Sequence, residues 1–398
     1  MFVLLLLNLI NAKKIEYNKA QDIAIKWMER VTNKRLKVVT NKVGLLANYR
    51  QQSSISNAPY YIFNLDNGGW VIVADDDINA PILAYSDKSN LDPYNLPPQF
   101  KWWLKSVSDE LNKAKNLAKK GLISPKARVT STQPLYAVSS SSSVGPLLNT
   151  SWGQGRGYNE YCPKDSRSIE RNGHVPAGCV AVAMAQIMNY YAWPPRGLGS
   201  NSYIPASNPQ YGRQYVNFEK SSYSWGDSAK AKIIYHSGVA VNMDYGPNGS
   251  SSYISAANSA LRKNFRYKSS SLIKKSSDAQ WDSLLINSLN NKRPVLYQGR
   301  GNIVHVFVCD GYKRVSDGYM YHFNWGWGGR ANGWFRVNGL SPFSSYSFNQ
   351  NNYAIFDIYP NDPNYNLNIK RDLASLFWIM PIFIILLSFI GYTRAKSI

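Results

Sequence analysis

Cysteine and histidine are scarce in this chain. Only three of its 398 residues are cysteine: Cys162, Cys179 and Cys309. So few in so long a chain exclude a disulfide framework, although a single bond between Cys162 and Cys309 stays open. An exported protein that keeps a free thiol usually needs it for chemistry. There are four histidines, His174, His236, His305 and His322, so a base for such chemistry comes from a short list. Acidic residues are few as well: 24 Asp and Glu against 45 Lys and Arg leave a net charge of +21. Such a balance suits nucleic acid or an anionic surface. The lysines are spread along the chain, however, and no basic run alternates with aromatics. Nucleic acid is therefore not an expected partner, and the charge reads as solubility plus attraction to anionic envelopes. No metal, no cofactor and no internal repeat is expected.

The length favours two domains, and 44% hydrophobic with 14% aromatic residues is ample for packed cores. Met1 to Ala12 is an apolar run ending in a small residue, so a signal peptide is expected at 1–12, although no basic segment precedes the run. Leu373 to Tyr392 carries no charge and is followed by Arg394 and Lys396. That length crosses a bilayer core, and a basic tail marks the cytoplasmic side. A C-terminal transmembrane helix is expected at 373–392, with a basic cytoplasmic tail at 393–398. Together the two ends describe an exported body anchored in the cell membrane, with release by processing left open.

Between the ends, Ala20, Ile23, Ala24, Trp27, Met28 and Val31 share one face of a helix over 18–31. Residues 60–74 read as a hairpin turning at Asp66-Asn67-Gly68-Gly69, and Ile82 to Tyr85 as a strand. Pro97-Pro98 opens a long helix running to Lys120. Ser139 to Ser143 is a low-complexity linker. The expected divisions are a smaller α+β domain at 13–128, a Ser-rich linker and processing region at 129–143, and a larger domain at 144–362. In the larger domain helices come first. After residue 294 strands dominate, at 294–297, 304–309, 319–324, 333–337 and 353–358, which is an α+β layout with an antiparallel sheet.

Cys179 lies at the end of a Gly-rich turn, Gly173-His174-Val175-Pro176-Ala177-Gly178. Val180, Met184, Ile187, Met188 and Tyr191 then mark one helix face, and Pro194-Pro195 stops it. A thiol at a helix N-terminus meets the positive end of the peptide dipoles, which favours the nucleophilic thiolate. Of the histidines, His174 is on the entry turn and points away, and His236 suits a partner or surface role. His322 alternates with Asn324 onto one strand face. His305 sits on the apolar strand Asn302 to Val308. A turn at Ser316-Asp317-Gly318 would let 305–309 pair with 319–324 and set His305 beside Asn324, whose amide oxygen could fix the imidazole tautomer. Trp325 would shield that bond.

Gly178 to Tyr190, the aromatic-flanked His305 strand and Asn324-Trp325-Gly326-Trp327-Gly328-Gly329 resemble the streptopain family of papain-like bacterial cysteine peptidases. Pro146-Leu147-Leu148 with Trp152-Gly153-Gln154 resembles the start of the family's mature enzyme, and Met243 to Pro247 another of its segments. The first domain, with Gly68 to Val73 and Ile82 to Ser86, resembles the family's inhibitory propeptide. The resemblance covers residues 13–360. It implies a papain-like fold, a helical part plus an antiparallel sheet, preceded by a smaller α+β propeptide domain. It also implies a cysteine endopeptidase made as a zymogen, acting on protein or peptide substrates, with its own propeptide as intramolecular inhibitor. By the same resemblance Cys179 is the nucleophile, His305 the general base and Asn324 its orienter. Gln154 with the Cys179 N–H forms the oxyanion hole. Trp325, Gly326, Tyr245 and Gly246 serve shielding or substrate binding. One position departs from the pattern: Val304 stands where the family usually has glycine.

Two other readings use the same residues. A silent surface adhesion protein would have no reason to keep Cys179, His305, Asn324 and Gln154 together, whereas a Cys-dependent acyl transferase would keep all four. The tail carries its own test. High salt screens charge but not apolar insertion, so full-length protein should stay in the membrane fraction through high-salt washing. Deletion of residues 371–398 should release it, and release of the full chain by salt alone would point to electrostatic attachment.

Overall fold

The computed structural model describes residues 13–33, 58–66, 68–78, 80–92, 95–120, 143–170, 172–300, 304–315, 318–337 and 352–365. The expected signal peptide at 1–12 and transmembrane helix at 373–392 lie outside them, as does the linker up to residue 142. Among the described residues no helix is long and apolar enough to cross a membrane.

The first domain is built on β1 (Tyr60–Asn64), β2 (Trp70–Ala74) and β3 (Ile82–Ser86), with α1 (Tyr17–Thr32) and α2 (Pro98–Lys119). Every residue of β2 is buried, because the strand is covered on both faces. Val71 and Val73 join Ala24, Trp27 and Met28 of α1. Trp70 and Ile72, pointing the other way by the two-residue period of a strand, join Phe100, Trp103 and Leu104 of α2.

The second domain opens with β4 (Ser143–Val144) and then α3 (Cys179–Tyr191). A small hairpin follows, β5 (Ser200–Tyr203) with β6 (Gln214–Asn217), then α4 (Lys230–Ala240) and α5 (Ile254–Lys263). Next come β7 (Tyr267–Lys268), β8 (Leu272–Lys274) and α6 (Asp278–Asn290). The rest is β9 (Val295–Arg300), β10 (Val304–Val315), β11 (Gly318–Asn324), β12 (Gly333–Phe335), β13 (Tyr353–Ile355) and β14 (Tyr359–Pro360). Tyr365, the last described residue, still packs on Tyr191 and Trp193.

The two domains share one sheet. Its order is β1-β2-β3-β12-β11-β10-β9-β13-β8, with β4 pairing β10. The join is antiparallel, Tyr85 opposite Trp334 and Ala84 opposite Phe335. The Arg336 N–H and Nε extend it by donating to the Leu83 and Ile82 carbonyls at 3.0 and 2.7 Å. Phe100 and Trp103 of α2 then cross the boundary to Phe335, with ring centroids 5.8 and 5.1 Å apart. Each such aromatic pair adds about 0.5–1.5 kcal/mol beyond its buried area.

Three expectations change. The Cys179 helix does not show one apolar face to a core; Val180 to Met188 are all buried, because α3 is enclosed between the sheet and α4 and α5. It ends at Tyr191 with Ala192 in the left-handed region (φ 47°), before the prolines. Residues 196–226, rich in Gly, Ser, Asn and Tyr, contain the β5–β6 hairpin. Helix α6 was not expected, although Ser277 caps it by accepting from the Gln280 N–H. Ser followed three residues later by Gln is a capping-box signature.

The shared core predicts the effect of losing one ring at the boundary. Trp103 is fully buried, and its Nε1 donates to the Arg336 carbonyl at 3.3 Å. Trp103→Ala should lower the stability of the whole chain by roughly 3–5 kcal/mol, read from denaturant unfolding. A loss below about 1 kcal/mol would mean that α2 is not bound through this ring.

Candidate active site

The candidate site lies at the N-terminus of α3. Gly178, the residue before the helix, has φ 89°, and a Cβ there would come within 2.6 Å of the Met243 side chain. Only glycine fits that approach, so Cys179 is presented by a turn that backbone chemistry fixes. Its side chain is half-buried. The thiol lies at the backbone N–H of Val306, one residue beyond His305 on β10. Burial pushes the thiol above its ordinary pKa, and the Val306, Val180 and Cys179 N–H groups pull against it without prevailing. In this arrangement the helix terminus alone does not make a thiolate.

His305 is buried, and burial lowers its pKa to about 4. Its Nε2 lies 2.9 Å from the Trp325 carbonyl, so Nε2 carries the proton in the neutral ring. The imidazole stacks on Phe307 at 19°, and Phe307 packs in turn on Phe323 and Trp325. That aromatic face is the one the first domain covers. Trp102 of α2 reaches Gly299, where a Cβ would meet its ring at 3.3 Å, and Gly299 is the residue opposite His305. Phe335, under Phe100 and Trp103, touches Phe323 and Trp325.

Asn324 is not beside His305. The register pairs it with Val308, three residues away. The expected pairing stopped the strand at Cys309, but β10 runs on to Val315 opposite Gly318, and the register shifts between Cys309 and Gly311. A shift of three also changes the face. Asn324 Nδ2 donates to the Thr150 carbonyl at 2.7 Å and to Gln186 Oε1 at 3.1 Å. Its Oδ1 accepts from the Gly326 N–H at 3.1 Å and from Gln186 Nε2 at 3.2 Å. Among the described residues no hydrogen bond joins Asn324 to His305, nor Cys179 to His305.

Gln154 is half-buried, and its carbonyl accepts from the Ala177 N–H at 2.9 Å, two residues before Cys179. Trp325 is fully buried, and its Nε1 donates to the Ala331 carbonyl. Its carbonyl, rather than its ring, meets the His305 nitrogen. Gly326 (φ 70°) lies against Val182, one turn into α3. Tyr245 is buried against Tyr235 with its hydroxyl at the Cys162 thiol, so its ring is not offered to a substrate. The Gly246 N–H donates to Ser250 Oγ.

The other histidines are engaged elsewhere. His174 Nδ1 is 2.7 Å from the Cys162 carbonyl. His236 is buried rather than at the surface, with Nδ1 3.0 Å from the Tyr223 hydroxyl, and burial lowers its pKa to about 4. His322 Nδ1 is 2.6 Å from Asp310 Oδ1. All three cysteines are free, so the Cys162–Cys309 bond is not formed. Among the described residues no acidic, Cys and His cluster could hold a metal ion. Gln186, read from sequence only as one residue of the helix, is the site residue that was missed. The signal was a polar side chain within a run of apolar ones.

Comparison with known proteins places the two parts of the chain. Residues 152–335 match the family model described as the peptidase C10 family, and residues 12–111 match the one described as the Spi protease inhibitor. Streptopain of Streptococcus pyogenes is 31% identical over 319 residues, covering 72% of this chain and 76% of that protein. Thiol protease/hemagglutinin PrtT of Porphyromonas gingivalis is 31% identical over 317 residues, 72% of this chain and 35% of its own length. Among solved structures, a Cys-to-Ala mutant fragment of Prevotella intermedia prointerpain A is similar with a TM-score of 0.59. It is 28% identical and covers 75% of this chain and 95% of the fragment.

The two buried histidines give a pH dependence. Both have folded pKa values near 4 against an ordinary 6.5, so the unfolded chain binds protons first. Stability is therefore complete above about pH 6.5 and falls as pH drops toward 4, by up to roughly 3 kcal/mol per histidine. Urea midpoints of the full chain between pH 7 and 4.5 should show the fall, and His236→Gln should flatten it by about half. A midpoint independent of pH in this range would show that neither ring is held neutral.

Proposed function

The chain belongs to the peptidase C10 family, and from that premise we propose a zymogen whose first domain silences a Cys179–His305 peptidase until the linker is cut. Membership carries cysteine-type peptidase activity and an inhibitor-type propeptide. The finer assignment rests chiefly on one observation: the Cys179 thiol, at the start of a buried helix, lies at the N–H next to His305 on the strand.

In the proposed reaction His305 takes the proton of the Cys179 thiol, and Sγ attacks the scissile carbonyl carbon. The Cys179 N–H and the Gln154 side chain receive the oxyanion. The intermediate collapses to a thioester as His305 protonates the leaving amine. Water, deprotonated by His305, then releases the acid and restores the thiol. Asn324 acts at one remove: it fixes the end of β11, whose next carbonyl, that of Trp325, orients the imidazole. Substrates are proteins or peptides. Export and membrane attachment rest on the sequence alone.

Latency follows from what the first domain covers. With α2 over the aromatic face, His305 is dry and neutral, and Cys179 keeps its proton. Asn95 Oδ1 accepts from Arg330 Nη1 at 3.0 Å. A cavity of about 400 Å³ there is lined by Leu91, Asp92, Asn95, Ser151, Gly329 and Arg330. The first domain therefore reaches from the strand beside His305 to the segment that leads into Gln154. Its departure lets water reach His305, raises the proton affinity of the ring, and makes a thiolate–imidazolium pair accessible.

The cut has an upper bound. Ser143 and Val144 are paired with Lys313 and Tyr312 of β10. A Cβ on Gly145 would meet the Asp310 carbonyl at 2.3 Å. Cleavage beyond Ser143 would require stripping this strand from the sheet. The processed enzyme should therefore begin no later than Ser143, as N-terminal sequencing would show, and Cys179→Ala should accumulate as uncut precursor. If the uncut full-length chain digests casein as fast as the processed one, the first domain is not an inhibitor.

A further inference from the structure

Gln186 stands on α3 two turns from Cys179 and is fully buried. Its Oε1 accepts from the Thr150 hydroxyl at 2.9 Å, the Trp152 N–H at 3.2 Å and Asn324 Nδ2 at 3.1 Å. Its Nε2 donates to Asn324 Oδ1 at 3.2 Å. Both amides are fixed in orientation, because a backbone N–H can only donate. Trp152 N–H points at the Gln186 oxygen, and Gly326 N–H at the Asn324 oxygen.

We propose that Gln186 is a positioning residue of the peptidase reaction, holding nucleophile, oxyanion donor and base at their working separation through one carboxamide. The inference rests on the assignment of Cys179, His305 and Gln154 above. Three pieces of chain meet at this side chain. One is α3, which starts at Cys179. The second is the segment Thr150 to Trp152, two residues before Gln154. The third is the end of β11 at Asn324, whose next carbonyl lies 2.9 Å from His305 Nε2.

Packing does not call for a carboxamide here. The neighbours of Gln186 along α3 are apolar and buried, and a methionine would fill nearly the same volume. Burying an amide without partners is unfavourable, whereas here every polar atom is used. The four bonds run to two other chain segments and none to its own helix. Such a junction fixes distances between elements rather than the stability of one of them. Displacing a reacting group by about 1 Å lowers the rate by roughly a hundredfold, so the junction acts on turnover.

The test uses the full-length chain, processed by added wild-type enzyme, with active sites counted by a thiol-directed covalent inhibitor so that only folded molecules enter kcat. Gln186→Met should lower kcat by roughly 30- to 100-fold with KM within about twofold. Gln186→Glu is more discriminating. Its carboxyl reproduces the bonding pattern only when protonated, so kcat relative to wild type should rise as pH falls from 8 to 5. A purely structural role would not give that profile. Thr150→Val removes one donor and should lower kcat about threefold, which keeps the test open if Gln186→Met fails to fold. Wild-type kcat per titrated site in Gln186→Met, or a flat relative profile in Gln186→Glu, overturns the proposal. Cys179→Ala, run in parallel, should be inactive; activity there overturns the nucleophile assignment itself, and this proposal with it.

Discussion

An open strand edge is the constraint on which this molecule turns. Strand β12 is three residues long and fully buried, with β11 on one side. The other side needs a partner, because an exposed row of backbone donors and acceptors invites pairing with any other chain. The first domain supplies β3. That single junction makes its three-stranded sheet continuous with the catalytic one. It also fixes where α2 lies: over the rings that surround His305. The proposed inhibition needs no separate plug in this arrangement; it would come with completing the sheet.

The electrostatics of the site follow from the same junction. Water is excluded from the aromatic face by Trp102, Phe100 and Trp103, so His305 is neutral and its Nε2 proton goes to the Trp325 carbonyl. Cys179, pulled toward thiolate by three N–H groups, is held as thiol by burial. On the proposed reading the catalytic groups and the polar junction at Gln186 are in place while the charge separation that chemistry needs is unfavourable, so the proposed precursor is assembled and unionised. Removing a cover is a smaller step than building a site, which suits the proposed activation by a single cut.

Much of this was legible in the sequence, for reasons that differ by element. The β1–β2 hairpin and the α1 stripe were readable because turn chemistry and periodicity are local. Cys179 stood out through the turn that delivers it, and His305 through its apolar strand. The register of His305 with Asn324 was not legible. It depends on how far β10 runs, to Val315 opposite Gly318, and on the register shift between Cys309 and Gly311, neither of which the local pattern shows. Helix α3 hid its environment: Val180 and Met184 mark one face, but Ala181, Val182 and Ala183 are equally buried, and only tertiary structure shows what covers them. The β3–β12 pairing joins residues some 250 positions apart, and nothing in either strand names its partner.

The strength of the junction also depends on Lys313. Its Nζ donates to the Tyr85 hydroxyl at 2.9 Å and lies 4.2 Å from the centre of the Trp334 ring. Burial lowers its pKa, which marks a desolvated cation, and among the described residues it forms no ion pair. Cation–π contact returns about 0.5–2 kcal/mol, against a desolvation penalty for the ammonium of several. Tyr85 and Asp87 belong to the first domain, so docking buries this ammonium but also gives it a hydrogen-bond partner and an attracting carboxylate. Apolar burial at Phe335 adds to the closed state. On the proposed zymogen reading the tether adds to these contacts, since a linked domain is present at high effective concentration and a cut one is diluted away.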